Sequence, residues 1–273
     1  MSASLMRALR IDPGNPFHDG PTLHSHQGCA YCYKIQRCEF TELRACAGCG
    51  TVRYCSKECQ VDHWAQHKPT CKAVQEHNKN IQEKTNIKCG YTDAAKWVEF
   101  YSTPIKNCLV AALDLPHSPH QEQHSAIVIQ ITHTGNQGLP TERRFEIVNI
   151  SRHDRGQSGL TSAVVAKWLD SEEMQRKREF GKVEMGKEYY GTGMFMVVAS
   201  FLELGRVAIP ISKFFAIDKD TARANVAPGA WWLPLRRILE KGEKLKFCCG
   251  KLDVDICCCG GWLHGEDIKK GDI

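Results

Sequence analysis

Eight side chains able to bind a soft metal ion crowd between positions 29 and 71: Cys29, Cys32, Cys46, Cys49, Cys55, Cys59, His67 and Cys71. They fall into four pairs, Cys-x2-Cys twice, then Cys-x3-Cys and His-x3-Cys. Two intervening residues make a tight knuckle, and three place both ligands on one helical face. Structural zinc takes four nitrogen or sulfur ligands in a tetrahedron, so eight ligands imply two zinc ions. Free core cysteines have no reason to be paired in this way. His63 lies four residues from both Cys59 and His67 and would share their helical face. Only His67 keeps the three-residue gap to Cys71, which makes His67 the expected ligand. Cys38 belongs to no pair and reads as a buried or free thiol.

The same stretch resembles the MYND zinc fingers. The resemblance rests on all eight ligand positions and on the run Arg53-Tyr54-Cys55-Ser56-Lys57-Glu58-Cys59-Gln60 followed by His63-Trp64 and His67-x3-Cys71. It implies a cross-brace. Cys29, Cys32, Cys55 and Cys59 would hold one ion, and Cys46, Cys49, His67 and Cys71 the other. It also implies a protein-interaction module that binds short proline-containing motifs, with Gln60 and Trp64 at the positions that line the peptide groove. These two residues are four apart on a helix opened by Ser56 and are therefore neighbours. Trp64 either offers its face to proline or packs within the finger; Gln60 can bond an extended backbone. So small a segment must be held by metal, since zinc contributes about 10–16 kcal/mol per site in finger peptides.

Charge argues against nucleic acid as the partner. Residues 29–71 carry six basic and four acidic side chains, and seven thiolates outweigh two dications, which leaves the metallated segment near −1. Phosphate neutralisation, the main force in nucleic-acid binding, is missing from such a module. The whole chain, with 36 basic and 31 acidic side chains in 273 residues, is not strongly basic either.

The elements around the ligands suggest an α+β protein: a small double-zinc finger followed by an α+β domain on a small, largely antiparallel sheet. The expected divisions are a flexible N-terminal arm at 1–28, the finger at 29–71, a linker or helical extension at 72–89, the α+β domain at 90–247 and a Cys-rich tail at 248–273. Within the domain, a helix capped by Asp93 carries Trp97, Phe100 and Tyr101, and restarts at Pro104. Ile127, Ile129 and Ile131 alternate on a strand over 126–133, with 144–150 as its antiparallel partner. A helix over 160–180 ends at Gly181, strands follow over 194–202 and 206–211, and Pro234 and Gly242 bracket a last helix.

Other motifs carry less. His117, His120, His124 and His133 cluster, and His120-x-Glu122 has the spacing of part of a two-His-one-carboxylate iron site. Residues 117–123, however, read as a polar, solvated loop. Tyr189-Tyr190-Gly191-Thr192-Gly193 reads as a turn before a strand. Cys248, Cys249, Cys257, Cys258 and Cys259 lack knuckle spacing, so a third structural zinc is not expected. Some MYND fingers sit inside SET-domain lysine methyltransferases. Only 28 residues precede Cys29 and no Asn-His pair follows it, so that reading is disfavoured and the chain is expected not to be an enzyme. An enzyme with its active site in 90–273 is the alternative. No signal-peptide core opens the chain. The most apolar stretch, 191–217, is broken by Glu203, Arg206 and Lys213, so no membrane span is expected. An intracellular location follows, cytoplasmic or nuclear, where paired cysteines favour metal over disulfide. Elemental analysis of the purified protein should find about two zinc atoms per chain; a value near one, or bound iron, would defeat the ligand assignment.

Overall fold

The computed structural model describes residues 15–23, 25, 28–32, 43–201 and 207–242. Cys38 and the cysteines of the 248–273 tail lie outside the described residues. The cysteine-rich segment holds two short strands, β1 (Arg44–Ala45) and β2 (Arg53–Tyr54), and the start of a long helix, α1 (Lys57–Thr85). Then come α2 (Gly90–Phe100), α3 (Ser102–Leu113), β3 (Ser125–His133), β4 (Phe145–Asp154), α4 (Leu160–Leu169), α5 (Glu172–Met185), β5 (Tyr189–Ser200), β6 (Ala208–Asp218), the single turn α6 (Lys219–Ala222) and α7 (Trp232–Lys241).

The four longer strands form one sheet in the order β4-β3-β5-β6. β3 pairs antiparallel with β4 and parallel with β5, and β5 pairs antiparallel with β6. The sheet is thus largely antiparallel, as the alternating pattern suggested, with one parallel pair at its centre. That pair requires a crossover, which α4 and α5 supply. Both faces of β3 are buried. Ile127, Ile129 and Ile131 pack with Trp97, Leu109, Leu113 and Leu235 on the side of α2, α3 and α7. Ala126 and Val128 pack with Val165, Leu169 and Met174 on the side of α4 and α5. β5 divides likewise, Phe195 and Val197 to the first layer and Met194 and Met196 to the second. Among the described residues no helix is long and apolar enough to cross a membrane.

Several expectations need correction. The helix over 160–180 is two helices, because the Ser171 hydroxyl accepts from Met174 N and caps a new start. Gly181 does not stop the second one. It lets α5 approach Tyr189, where a Cβ would stand 2.7 Å from the ring. Helix α2 begins at Gly90, so Asp93 is not its cap; Asp93 is buried and paired with Arg144 Nη1 at 2.6 Å. The glycine pair after Tyr190 lies inside β5 rather than in a turn, since a Cβ at Gly191 would meet the Glu122 carboxylate at 2.6 Å. Glu122 is itself buried and not solvated, while His120 stacks on Tyr190.

Residues 15–23, expected as part of a flexible arm, are bound to the domain. Phe17 is 1% exposed within the main core. Asn107, fully buried on α3, holds the strap with both ends of its amide. Its Oδ1 accepts from Asn15 Nδ2, His18 Nε2 and Leu23 N, and its Nδ2 donates to Leu23 O and Thr103 O. The strap also pairs with the segment before α7, through Asp19 N to Asn225 O and Ala227 N to Phe17 O. Asn107→Ala strands several of these groups at once and should cost about 3 kcal/mol in urea unfolding; a loss below about 0.5 kcal/mol would show that the strap is held by Phe17 alone.

Candidate metal centre

The scaffold of the site is two knuckles and one helix. In the knuckle from Cys46 to Gly50, Cys46 N bonds Val52 O and Gly50 N bonds Cys46 O, both at 2.8 Å. Gly50 takes φ +68°, a left-handed conformation that suits glycine. Ala30 N donates to Arg53 O at 2.9 Å and ties the first knuckle to β2. Ser56 opens α1 by accepting from Cys59 N at 3.3 Å, which sets Cys55 just before the helix and Cys59 in its first turn. Pro69 stands inside the helix between His67 and Cys71. An interior proline removes one helical hydrogen bond.

These elements bring the eight expected ligands into two groups, Cys29/Cys32/Cys55/Cys59 and Cys46/Cys49/His67/Cys71, with the ligand atoms of each within 4.8 Å of one another. The Cys32–Cys55 and Cys55–Cys59 sulfurs are 3.5 and 3.6 Å apart. In the second group, Cys46 and Cys71 sulfurs are 4.0 Å apart and Cys49 Sγ is 3.5 Å from His67 Nε2. Zinc–sulfur bonds of about 2.3 Å in a tetrahedron put ligand atoms about 3.8 Å apart. The two groups therefore fit two zinc ions, interleaved along the chain. His63 is not among them; its Nδ1 is hydrogen-bonded to Tyr54 OH at 3.0 Å and its ring stacks on His67. The residues named as a candidate iron site belong to neither group.

Burial, hydrogen bonding and neighbouring charge set the protonation of these sulfurs. Burial raises the Cys29 thiol, but backbone hydrogen bonds from Cys32, Cys55 and Tyr31 outweigh it and lower it to about 6. Burial, with Cys49 and Cys46 beside it, pushes Cys71 up to about 12. Hydrogen bonds to Cys32 and Cys59 push Cys55 to about 12 as well. One thiolate in each group thus hinders the next. A dication among them reverses that balance and lets all ionise. Burial keeps His67 below its ordinary pKa, helped by His63, so it is neutral as a ligand must be. Around the second group, which is buried throughout and forms the inner site, Thr51 Oγ1 donates to Cys49 Sγ at 3.3 Å, while the Gln75 and Gln60 amides lie 4.0 and 3.9 Å from the Cys71 and Cys46 sulfurs.

The site is also built into the domain. Helix α2 has no side-chain cap of its own. Asn78, from α1, supplies one: its Oδ1 accepts from Tyr91 N and Thr92 N, and its Nδ2 donates to Thr92 Oγ1 at 2.8 Å. Thr92 Oγ1 passes the bond on to the carbonyl of Cys49, at 2.9 Å. Neither Asn78 nor Thr92 was visible as a site residue in the sequence, because each acts across the join between two helices.

The profile of a family described as MYND finger matches residues 29–71. This segment is a MYND finger. Relatives include SET domain-containing protein 14 of Caenorhabditis elegans, 47% identical over 46 residues, which are 17% of this chain and 11% of the relative. The Hypoxia-inducible factor prolyl hydroxylase of the same organism is 47% identical over 47 residues, 17% of this chain and 6% of the relative. Histone-lysine N-methyltransferase Smyd1 of Mus musculus is 28% identical over 130 residues, 45% of this chain and 24% of the relative. The chain spans less than a quarter of the length of each. No solved structure matches. These names correct the expectation that the chain is not an enzyme. All three relatives bear the names of enzymes or of a domain found in them, and the 130-residue similarity extends beyond the MYND finger.

The relay from Asn78 to Cys49 can be tested through its middle. Thr92→Val keeps the shape and removes the hydroxyl, leaving a buried carbonyl and an amide N–H unpaired. It should cost about 2 kcal/mol and speed zinc loss to a chelator. Unchanged stability together with unchanged zinc loss would show that finger and domain are not coupled through this bond.

Proposed function

We propose that the MYND finger is a recruiting module that takes a short proline-containing segment of a partner protein against Trp64, with Gln60 bonding the segment's backbone. The observation that carries this reading is the position of Trp64. It is 41% exposed on the outer side of α1, edge-on to the ring of the ligand His67 at 6.0 Å, and absent from the finger's buried cluster. An exposed tryptophan fixed against a metal-held ring is a rigid apolar platform, the kind that proline rings stack on. Gln60 lies one turn earlier, and Val61, 63% exposed, widens the apolar surface beside them. The long contact from Gln60 to the Cys46 sulfur leaves most of its amide capacity for a peptide. A metallated finger near −1 favours such a partner over nucleic acid. Seven free thiols as ligands suit a reducing compartment, the cytoplasm or nucleus.

The 130-residue similarity to a histone-lysine N-methyltransferase favours a second reading, in which the chain takes part in lysine methylation and the finger recruits the substrate. Incubating the zinc-loaded protein with histones and a labelled methyl donor tests it; no transfer would remove this reading and leave the recruiting module intact.

For the module itself, titration of proline-containing peptides against zinc-loaded variants is the test. Trp64→Ala should lose about 2 kcal/mol of binding, close to thirtyfold, as aromatic anchors do. Gln60→Ala should lose about 1 kcal/mol, as one neutral hydrogen bond does. Zinc content must be measured in both, since Gln60 also faces a ligand sulfur. Affinity should change little between low and moderate salt. Full affinity in a folded, zinc-loaded Trp64→Ala protein would defeat the assignment.

A further inference from the structure

We infer that the outer zinc site responds to hydroperoxides, by forming a Cys32–Cys55 disulfide and giving up its ion, while the inner site keeps its own. The two sites differ in three ways that bear on thiol oxidation. First, every ligand of the inner site is buried, whereas in the outer site Cys32 is exposed and Cys55 and Cys59 are half-exposed. Oxidation follows thiolate character and access. Second, the outer site is all sulfur, and Cys55 Sγ is 3.5 Å from Cys32 Sγ and 3.6 Å from Cys59 Sγ. A second sulfur is thus beside whichever one is oxidised. In the inner site one neighbour is the imidazole of His67, which cannot form a disulfide. Third, the inner sulfurs face side-chain donors from Thr51, Gln60 and Gln75. The contacts of the outer sulfurs run instead to one another, Cys32 to Cys55 and Cys55 to Cys59.

The chemistry balances with a hydroperoxide as the two-electron oxidant. The exposed Cys32 thiolate attacks the peroxide oxygen, the O–O bond breaks, and Cys32 becomes a sulfenic acid as hydroxide (or alkoxide) leaves. The Cys55 thiolate then attacks the Cys32 sulfur, the S–S bond forms, and hydroxide leaves. Two thiolates have lost two electrons to the peroxide bond. Only Cys29 and Cys59 then remain to hold the ion, too few for a structural zinc. Cys55 and Cys59 flank the Ser56 cap, so the change reaches the first turn of α1. The inner site and the Thr92 bond still hold the rest of the finger to the domain.

The test uses the full, zinc-loaded chain. It is exposed to graded hydrogen peroxide in the presence of a zinc-sensing dye, with disulfides mapped by mass spectrometry after alkylation. One zinc per chain should leave about tenfold faster than the second, with Cys32–Cys55 as the first disulfide, and reductant plus zinc should restore it. Cys32→His retains a zinc ligand but removes the exposed thiol; it should still bind two ions and release the first about tenfold more slowly. If that variant does not load two ions, the wild-type release order and disulfide map decide alone. Simultaneous loss of both ions, a first disulfide within the inner site, or zinc release without any disulfide would overturn the inference.

Discussion

Like-charge repulsion among sulfurs is the constraint on which the rest of this structure turns. Seven cysteines and a histidine are folded into two groups with neighbouring ligand atoms 3.5–4.0 Å apart. Without cations such thiols cannot all ionise: burial and neighbouring sulfurs push Cys71 up to about 12, hydrogen bonds with Cys32 and Cys59 do the same for Cys55, and backbone hydrogen bonds bring Cys29 down to about 6. With two dications the same crowding becomes the strongest bond the segment has. The cross-brace follows, since each ion joins residues from both ends of the segment. So does tolerance of Pro69 in mid-helix, where the ligands on either side are clamped to one ion and the missing backbone bond costs less than the clamp supplies.

The second level of organisation is hydrogen bonding between elements that were made separately. Asn78 caps a helix that is not its own, and Thr92 hands that bond to a metal-ligand carbonyl. Asn107 does the same for the strap at 15–23, filling both ends of its amide. Thr92 and Asn107 are buried and Asn78 is half-buried, and each has its polar groups paired, as burial demands. The result is that the finger, the helical layer and the sheet share one set of contacts rather than meeting at a linker.

How much of this could be read from the chain depends on the range of the interaction. Metal ligands obey local spacing, so all eight, and the choice of His67 over His63, were legible. Alternation gave β3, and its antiparallel partner followed. What failed depended on distant residues. Phe17 and Asn107 are far apart in sequence, and nothing near Phe17 marks it as buried. Gly191 looked like a turn because the Glu122 carboxylate that requires its missing Cβ is some seventy positions away. Asp93 resembled a cap, having the right type and place, until Arg144 claimed it. Trp64 could not be placed inside or outside by sequence, because both uses suit a tryptophan; the fold leaves it exposed. The expectation of no enzymatic role rested on motifs not found, a weaker ground than the similarity to named enzymes.

Helix α1 joins the finger to the core of the domain. It runs unbroken for 29 residues, about 43 Å at 1.5 Å per residue, with Trp64 near one end and Ile81 buried in the domain core near the other. A flexible tether would let anything caught at the finger wander through a large volume. A helical strut confines it to a narrow shell of distance and direction from the sheet. Whatever lies at that distance would meet the neighbours of a segment held there at a high effective concentration, and whatever lies elsewhere would meet them hardly at all. On the proposed function, geometry of this kind would select which part of a partner is presented, independently of how tightly it is held.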